Sequence, residues 1–385
     1  MDQNSGNFFP KEEINESITS RFEKQVNLYG DEIAVKSGDK HLTYSELNTA
    51  ANRVAKKLLS SELIKSESVG LLFEHDISAI VAILGVLKAG KAYVPLDPKF
   101  PEQRLRYMVE DSRARIVVTD NSSLSVTEMV FSEGSQIINI DEIEEDYGED
   151  NPGLTIQGNS PAYILYSSGS TGNPKGILQT HQNVLHHIWD HTTLYDIGAS
   201  DNQALVLSIS FAASVSEIFC PLLNGGKLCL YDIKQGGLGD LASWLRFERI
   251  TVIKIPISLF RVFLNTLSDE DYYPDLRLVI LGGDTLFRRD IQNFRGYFLE
   301  DCIFVNRLTS TETNSVTQYL IRPDTEIDSR IVPVGYPAQD KEVLIVDEEG
   351  NELGPNEVGE IVIRSRYITS GYWGKAELSE ERFST

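Results

Sequence analysis

The sequence predicts an α/β protein built on parallel sheets, and three observations carry that expectation. Apolar β-type runs alternate with amphipathic helical stretches through most of the chain, the pattern of a sheet covered by helices. The chain has 385 residues, more than the roughly 250–300 that one hydrophobic core organises, so two or more subdomains are expected. From about Ile331 the character changes. Lys341-Glu-Val-Leu-Ile-Val-Asp, a Glu348-Glu-Gly-Asn turn and Val358-Gly-Glu-Ile-Val-Ile-Arg read as short antiparallel strands closing the chain.

The elements follow in order. Ile18, Phe22 and Val26 fall at i, i+4, i+8, a helix. Ile33-Ala-Val-Lys, a Gly-Asp turn and Leu42-Thr-Tyr make a hairpin. Ser45 to Leu59 is a helix with Leu47, Ala51, Val54, Ala55 and Leu58 on one face. Ser68–Phe73 is a strand, Ser78 to Ala89 a helix stopped by Gly90, and Ala92-Tyr-Val-Pro a strand. Leu105 to Asp111 is helical and Ala114–Thr119 a strand. Acidic residues between Asp141 and Asp150 read as a solvated loop. Gln203–Ser208 is a strand and Val215 to Leu223 a helix. Lys227–Tyr231, Thr251–Ile255 and Leu278–Leu281 are strands, the last running into Gly282-Gly283.

Composition excludes several classes. The net charge is −22, from 35 basic and 57 acidic residues, which opposes non-specific binding to nucleic acid or an anionic membrane. Three cysteines form neither a CxxC pair nor an even framework, as in a reduced, cytoplasmic setting. Neither a signal peptide nor an apolar span of about 18 residues is evident. His181, His186, His187 and His191 lack a carboxylate or Cys partner spaced for zinc. They read as a polar helix face.

One stretch carries chemistry. The run Tyr163-Ile-Leu-Tyr-Ser167-Ser168-Gly169-Ser170-Thr171-Gly172-Asn-Pro-Lys175-Gly176 is a strand feeding a loop of Gly, Ser and Thr with a Lys near its end. Glycines admit positive φ and close approach of backbone to ligand. Loop N–H groups and hydroxyls wrap phosphate oxygens. The Gly-Lys-Ser/Thr ending of a Walker A loop is absent.

Five motifs in order then resemble the adenylation domains of nonribosomal peptide synthetases, members of the adenylate-forming enzymes. They are Leu42-Thr-Tyr-Ser-Glu-Leu-Asn-Thr-Ala-Ala-Asn-Arg, Leu87-Lys-Ala-Gly-Lys-Ala-Tyr-Val-Pro-Leu-Asp-Pro, the glycine loop, Asn306-Arg-Leu-Thr-Ser-Thr311-Glu312, and Gly359–Arg364 through Gly371-Tyr-Trp to Glu377–Phe383. The likeness runs from about Ile14 onward. It implies the large N-terminal core of that fold. Two α/β subdomains with stacked, mostly parallel sheets would span residues 1–195 and 196–328, and a β-rich subdomain residues 329–385. It implies ATP and Mg²⁺, a carboxylic acid activated as acyl-AMP, and transfer to phosphopantetheine on a carrier-protein domain of the same polypeptide. Ser167, Ser168, Gly169, Ser170, Thr171, Gly172 and Lys175 would hold the β- and γ-phosphates, and Thr311 the α-phosphate. Glu312 would ligate Mg²⁺. Gly282-Gly283-Asp284, Asn306 and Leu308 would border the nucleotide, with Leu308 in place of the usual stacking aromatic. Taken alone, Thr311-Glu312 also reads as a helix N-cap with an acidic first turn.

The acyl pocket implied is Phe211, Ala212, Ala213, Ser216, Lys254, Val279, Leu281, Arg307, Ser315 and Val316. Ala212 stands where the family carries the Asp that pairs a substrate's α-ammonium, and a buried ammonium without a counter-charge is costly. The preferred acid is therefore expected not to be a standard α-amino acid. Lys254 and Arg307 either face a polar or anionic acyl group or pair with acidic neighbours and snorkel outward. The family's C-terminal lid subdomain, with its catalytic Lys, has no counterpart here, and weak nucleotide binding with little adenylation by the chain alone is expected. The other readings are a stand-alone fatty-acyl or acyl-CoA ligase and a non-catalytic nucleotide-binding module.

Overall fold

The computed structural model describes residues 9–63, 65–131, 134–144, 147–167, 174–268, 271–298 and 301–383. They form two compact units, Met1–Gly236 with Thr369–Thr385, and Gly237–Ile368.

The first unit holds α1 (Ile18–Tyr29), β1 (Ile33–Ser37), β2 (Lys40–Thr43), α2 (Tyr44–Leu59), β3 (Ser68–Leu72), α3 (Ile77–Lys88), β4 (Ala92–Leu96), α4 (Glu102–Ser112), β5 (Ile116–Thr119), α5 (Leu124–Val130), β6 (Gln136–Asn139), β7 (Pro161–Ser167), β8 (Lys175–Thr180), α6 (His181–Tyr195), β9 (Asn202–Leu205), α7 (Ala213–Leu222) and β10 (Lys227–Leu230). A six-stranded sheet runs β6-β5-β3-β4-β7-β8, parallel except where β8 turns back antiparallel on β7. Strands β9, β10 and β1 are parallel neighbours, and β2 is antiparallel to β1.

Helix α2 starts with a capping box, Thr43 and Glu46 exchanging bonds with each other's backbone N–H. Helix α3 is apolar nearly all round and buried over most of its length, as a helix packed on several sides must be. Gly85 lets α2 and α3 touch, since a Cβ there would lie 2.6 Å from Val54. Under the six-stranded sheet Leu72, Val94, Leu96, Val117, Ile164 and Tyr166 pack on Leu105 and Met108 of α4.

Helix α8 (Ile233–Phe247) is interrupted at Gly237 (φ 67°), where the second unit begins. That unit holds β11 (Val252–Pro256), α9 (Ile257–Leu264), β12 (Leu278–Gly282), α10 (Arg288–Phe294), β13 (Ile303–Ser310), β14 (Asn314–Ile321), β15 (Tyr336–Pro337), β16 (Glu342–Val346) and β17 (Glu360–Arg364). Strands β11, β12 and β13 are parallel, and β14 and β15 continue the sheet antiparallel. β16 and β17 pair antiparallel, as the closing strands of the sequence predict. The last helix, α11 (Ala376–Arg382), belongs to the first unit.

The units depart from the boundaries expected at 195/196 and 328/329. Residues 196–236 stay with the first unit because β10 pairs with β1. Residues 329–368 stay with the second, where β15 pairs with β14. Residues 369–385 return to the first through Thr369 Oγ1, which donates to the Leu178 carbonyl, and the Ile177–Tyr372 bridge.

Candidate functional site

In the first unit the glycine loop leaves β7 at Ser167 and re-enters the sheet at Lys175, and these two residues face each other in the β7–β8 register. Ser168, Gly169, Ser170, Thr171 and Gly172 lie outside the described residues. The stem of the loop is tied down by groups to which the sequence alone assigned no role. Tyr107 OH donates to the carbonyl of Pro174 at 3.1 Å, and Lys375 Nζ donates to that hydroxyl at 3.2 Å. Asp111 accepts from Tyr166 OH at 2.8 Å and pairs with Lys375 at 3.4 Å. Trp373 donates its backbone N–H to Gly176 and its indole N–H to the Asp111 carbonyl. Lys175 Nζ stands 5.2 Å over the Tyr372 ring, close enough for a cation–π contact. The signal was present: Tyr107 and Asp111 are i, i+4 on α4, hence on one face.

One hydrogen bond of this kind is worth about 1 kcal/mol. Tyr107→Phe should therefore raise KM for ATP about fivefold in an ATP–pyrophosphate exchange assay, with kcat little changed. An unchanged KM would show that the clamp does not position the loop.

Helix α7 begins beside the other first-unit candidates. Phe211 is exposed, and Ala212 and Ala213 are half-buried. Ser216 is buried, its hydroxyl 3.4 Å from the Ala213 carbonyl. Ala212 occupies the N-cap position and provides no side-chain cap.

The four histidines do not form a polar helix face. All of α6 from Val184 to Thr192 is buried, including His186, His187 and His191. His187 and His191 meet edge to face at 4.4 Å, and the His191 Nδ1 lies 3.6 Å from the Cys220 sulfur. Among the described residues no group of three or more metal-ligating side chains gathers. His181, fully buried, accepts the Ile18 N–H on Nδ1 at 3.1 Å. Burial lowers its pKa to about 4.

An unfolded His takes its proton near pH 6.5. The folded form resists until about pH 4, so this group's stability contribution is complete above pH 6.5 and falls as pH drops toward 4. The loss amounts to roughly 3 kcal/mol. Urea unfolding of the wild type and His181→Asn at pH 7 and pH 4.5 should show a smaller acid loss in the variant.

In the second unit the nucleotide candidates lie on or just beyond the neighbouring strands β12 and β13. Gly282 ends β12 and is paired with Arg307 on β13. Gly283 follows at φ 80°, a left-handed conformation that suits glycine. Asp284 is exposed and accepts from Arg261 Nη1 at 3.1 Å. Asn306 donates to the carbonyls of Val332 and Pro333. Leu308 is half-buried.

Thr311 and Glu312 form the tip of the β13–β14 hairpin, so the helix-N-cap reading is wrong. Several contacts hold the tip. Ser310 Oγ accepts the Thr313 N–H at 3.1 Å, Asn314 takes φ 59°, and Lys341 Nζ donates to the carbonyls of Thr313 and Ser315.

Register divides the predicted pocket residues. Lys254 pairs with Ile280, which pairs with Val305, and Pro256 pairs with Gly282, which pairs with Arg307. Side chains alternate along strands, so Lys254 and Arg307 share one side of the sheet while Val279 and Leu281 belong to the other. Ser315 joins the first group, its Oγ accepting from Arg307 Nη2. Val316 is buried. Arg307 does not snorkel outward and has no acidic partner among the described residues: it is 4% exposed, and its Nε and Nη1 have no hydrogen-bond partner. Lys254 is half-buried.

The AMP-binding enzyme family matches residues 22–373. Gramicidin S synthase 2 of Brevibacillus brevis is 34% identical over 377 residues, covering 96% of this chain and 8% of that protein. Tyrocidine synthase 1 of Brevibacillus parabrevis is 30% identical over 373 residues, covering 95% of this chain and 33% of that protein. The chain thus spans only a small part of the length of such relatives. The N-terminal subdomain of Klebsiella oxytoca NpsA, in complex with 3-hydroxybenzoyl-AMSN, matches with a TM-score of 0.81 at 24% identity, over 96% of this chain and 91% of that one. The AMPPNP-bound form of the nonribosomal peptide synthetase FmoA3 matches with a TM-score of 0.90 at 23% identity, over 99% and 40%. These likenesses agree with the α/β fold of mixed sheets seen here.

Proposed function

The chain belongs to the AMP-binding enzyme family, and on that premise we propose that it is the nucleotide-binding core of an adenylation domain. The reaction is the joining of a carboxylic acid to ATP. A carboxylate oxygen attacks the α-phosphorus, the bond to the β-phosphate breaks, and acyl-AMP and pyrophosphate form. The acyl group then passes to the phosphopantetheine thiol of a carrier-protein domain in nonribosomal peptide or hybrid polyketide assembly, and AMP leaves.

The observation that carries this reading is the shared edge in the second unit. The glycine turn at 282–283 and the strand leading to Thr311 and Glu312 leave adjacent parallel strands at their C-terminal ends, where open α/β sheets bind nucleotides. Thr311 would donate its hydroxyl to the α-phosphate. The donor set suits Mg²⁺. Glu312 offers hard carboxylate oxygens on a turn held by Ser310 and Lys341, the ligand type Mg²⁺ takes beside phosphates. Such an ion neutralises phosphate charge.

The acid is not a standard α-amino acid on this reading. Ala212 supplies no counter-charge for an ammonium. Acid-dependent ATP–pyrophosphate exchange across a panel of α-amino, hydroxy, keto and dicarboxylic acids tests the reaction and the class together. Exchange is expected with a non-amino acid. Standard α-amino acids as the best substrates would refute the substrate assignment. Loading of a carrier protein rather than coenzyme A separates the synthetase reading from an acyl-CoA ligase.

A further inference from the structure

We infer that Arg307 receives a second anionic group on the acid being activated, so that the substrate class is a dicarboxylic acid; this rests on the acyl-adenylate reading above. The Arg307 side chain is 4% exposed. Ser315 Oγ takes one of its N–H groups, and its Nε and Nη1 have no hydrogen-bond partner. Serine is neutral, so the charge stays uncompensated.

A guanidinium cannot shed its proton to escape burial as a lysine can. A buried charge without a partner costs several kcal/mol. A chain with 57 acidic residues had ample means to place a carboxylate there, and among the described residues none stands in hydrogen-bonding reach. The missing charge therefore comes from a ligand.

The chemistry of the guanidinium says which kind. The planar fork of Arg matches a carboxylate through two parallel hydrogen bonds. Gly282, the β12 partner of Arg307, leaves the sheet bare beside it. Lys254 lies on the same side two strands over, ~10 Å across the sheet. A carboxylate gripped by the fork has its oxygens engaged and is a poor nucleophile. The group held by Arg307 is accordingly the one that does not react, and the acid needs another carboxylate for the α-phosphorus.

The other anion available is the nucleotide itself. Thr311, the α-phosphate candidate, is four residues beyond Arg307, about 13 Å along an extended chain. That exceeds the reach of one arginine side chain, so distance favours the acid.

The test uses the full-length protein in ATP–pyrophosphate exchange with four- to six-carbon dicarboxylic acids and monocarboxylic acids of equal length. The best dicarboxylate should exceed its matched monocarboxylate at least 100-fold in kcat/KM. Arg307→Met should erase that advantage by lowering kcat/KM for the dicarboxylate far more than for the monocarboxylate, with the loss in KM for the acid rather than KM for ATP, and Arg307→Lys should retain part of it. Preference of the wild type for acids without a second charge overturns the inference, and needs no variant to fold. So does an Arg307→Met effect that appears as a raised KM for ATP with every acid, which would assign the arginine to phosphate. Absence of exchange with any acid would overturn the acyl-adenylate reading itself, a result distinct from both.

Discussion

Glu312→Gln is expected to lower acid-dependent ATP–pyrophosphate exchange at least about 100-fold, the scale on which a preorganised charge at a reacting centre acts. The substitution keeps the shape of the side chain and removes its charge. The turn that carries Glu312 is anchored by other groups: the Ser310 hydroxyl, the left-handed Asn314 and the two carbonyl contacts of Lys341. The hairpin should therefore survive, with a thermal midpoint within about 3 °C of wild type, the shift that a loss of roughly 1 kcal/mol gives a larger domain. The Mg²⁺ concentration giving half-maximal exchange should rise as well. A loss below fivefold with unchanged Mg²⁺ dependence would remove Glu312 from the metal and leave the hairpin tip without its proposed role. Thr311→Val probes the neighbouring position differently, since it deletes a hydrogen-bond donor without altering net charge, and should leave Mg²⁺ dependence alone.

The placement of several candidate residues was legible in the sequence because they lie in short contiguous motifs. The Gly282-Gly283 turn closes β12 and the loop stem at Ser167 and Lys175 bounds β7 and β8, as the sequence pattern implied, whereas Asn306 and Arg307 lie within β13. What was not legible depends on residues far apart in the chain. The clamp joins α4 to Trp373 across 262 positions, and no local pattern announces that contact. The histidines of α6 misled because their composition is polar, whereas neighbours such as Ile18 and Cys220 enclose them. Strand register, too, is tertiary information. It alone puts Lys254 and Arg307 on one side of the sheet and Val279 and Leu281 on the other, and only the packed structure shows Arg307 left without an acidic partner among the described residues.

Gly335→Val should unfold or severely loosen the second unit, at a cost above about 4 kcal/mol, the range reserved for strain or overpacking at a special backbone position. Two terms add. Gly335 sits at φ 82°, and a Cβ built there would stand 2.0 Å from the Gln318 carbonyl oxygen, a backbone atom of β14 that cannot swing away. Gly350 serves as the control. It has nearly the same φ, 84°, with nothing within 4 Å of its would-be Cβ, so Gly350→Ala should reveal the conformational strain alone, about 1–2 kcal/mol. The excess at position 335 then measures the clash. That clash bears on function through register, because Gln318 pairs with Tyr336 on one side and with Arg307 on the other. Moving β14 to admit a side chain shifts the strand that holds Ser315 against Arg307 and carries the Thr311–Glu312 turn. In urea unfolding followed by intrinsic fluorescence, Gly335→Val should lose far more stability than Gly350→Ala. Equal losses in the two variants would show that β14 yields freely, and that the hairpin is not the rigid platform its hydrogen bonds indicate.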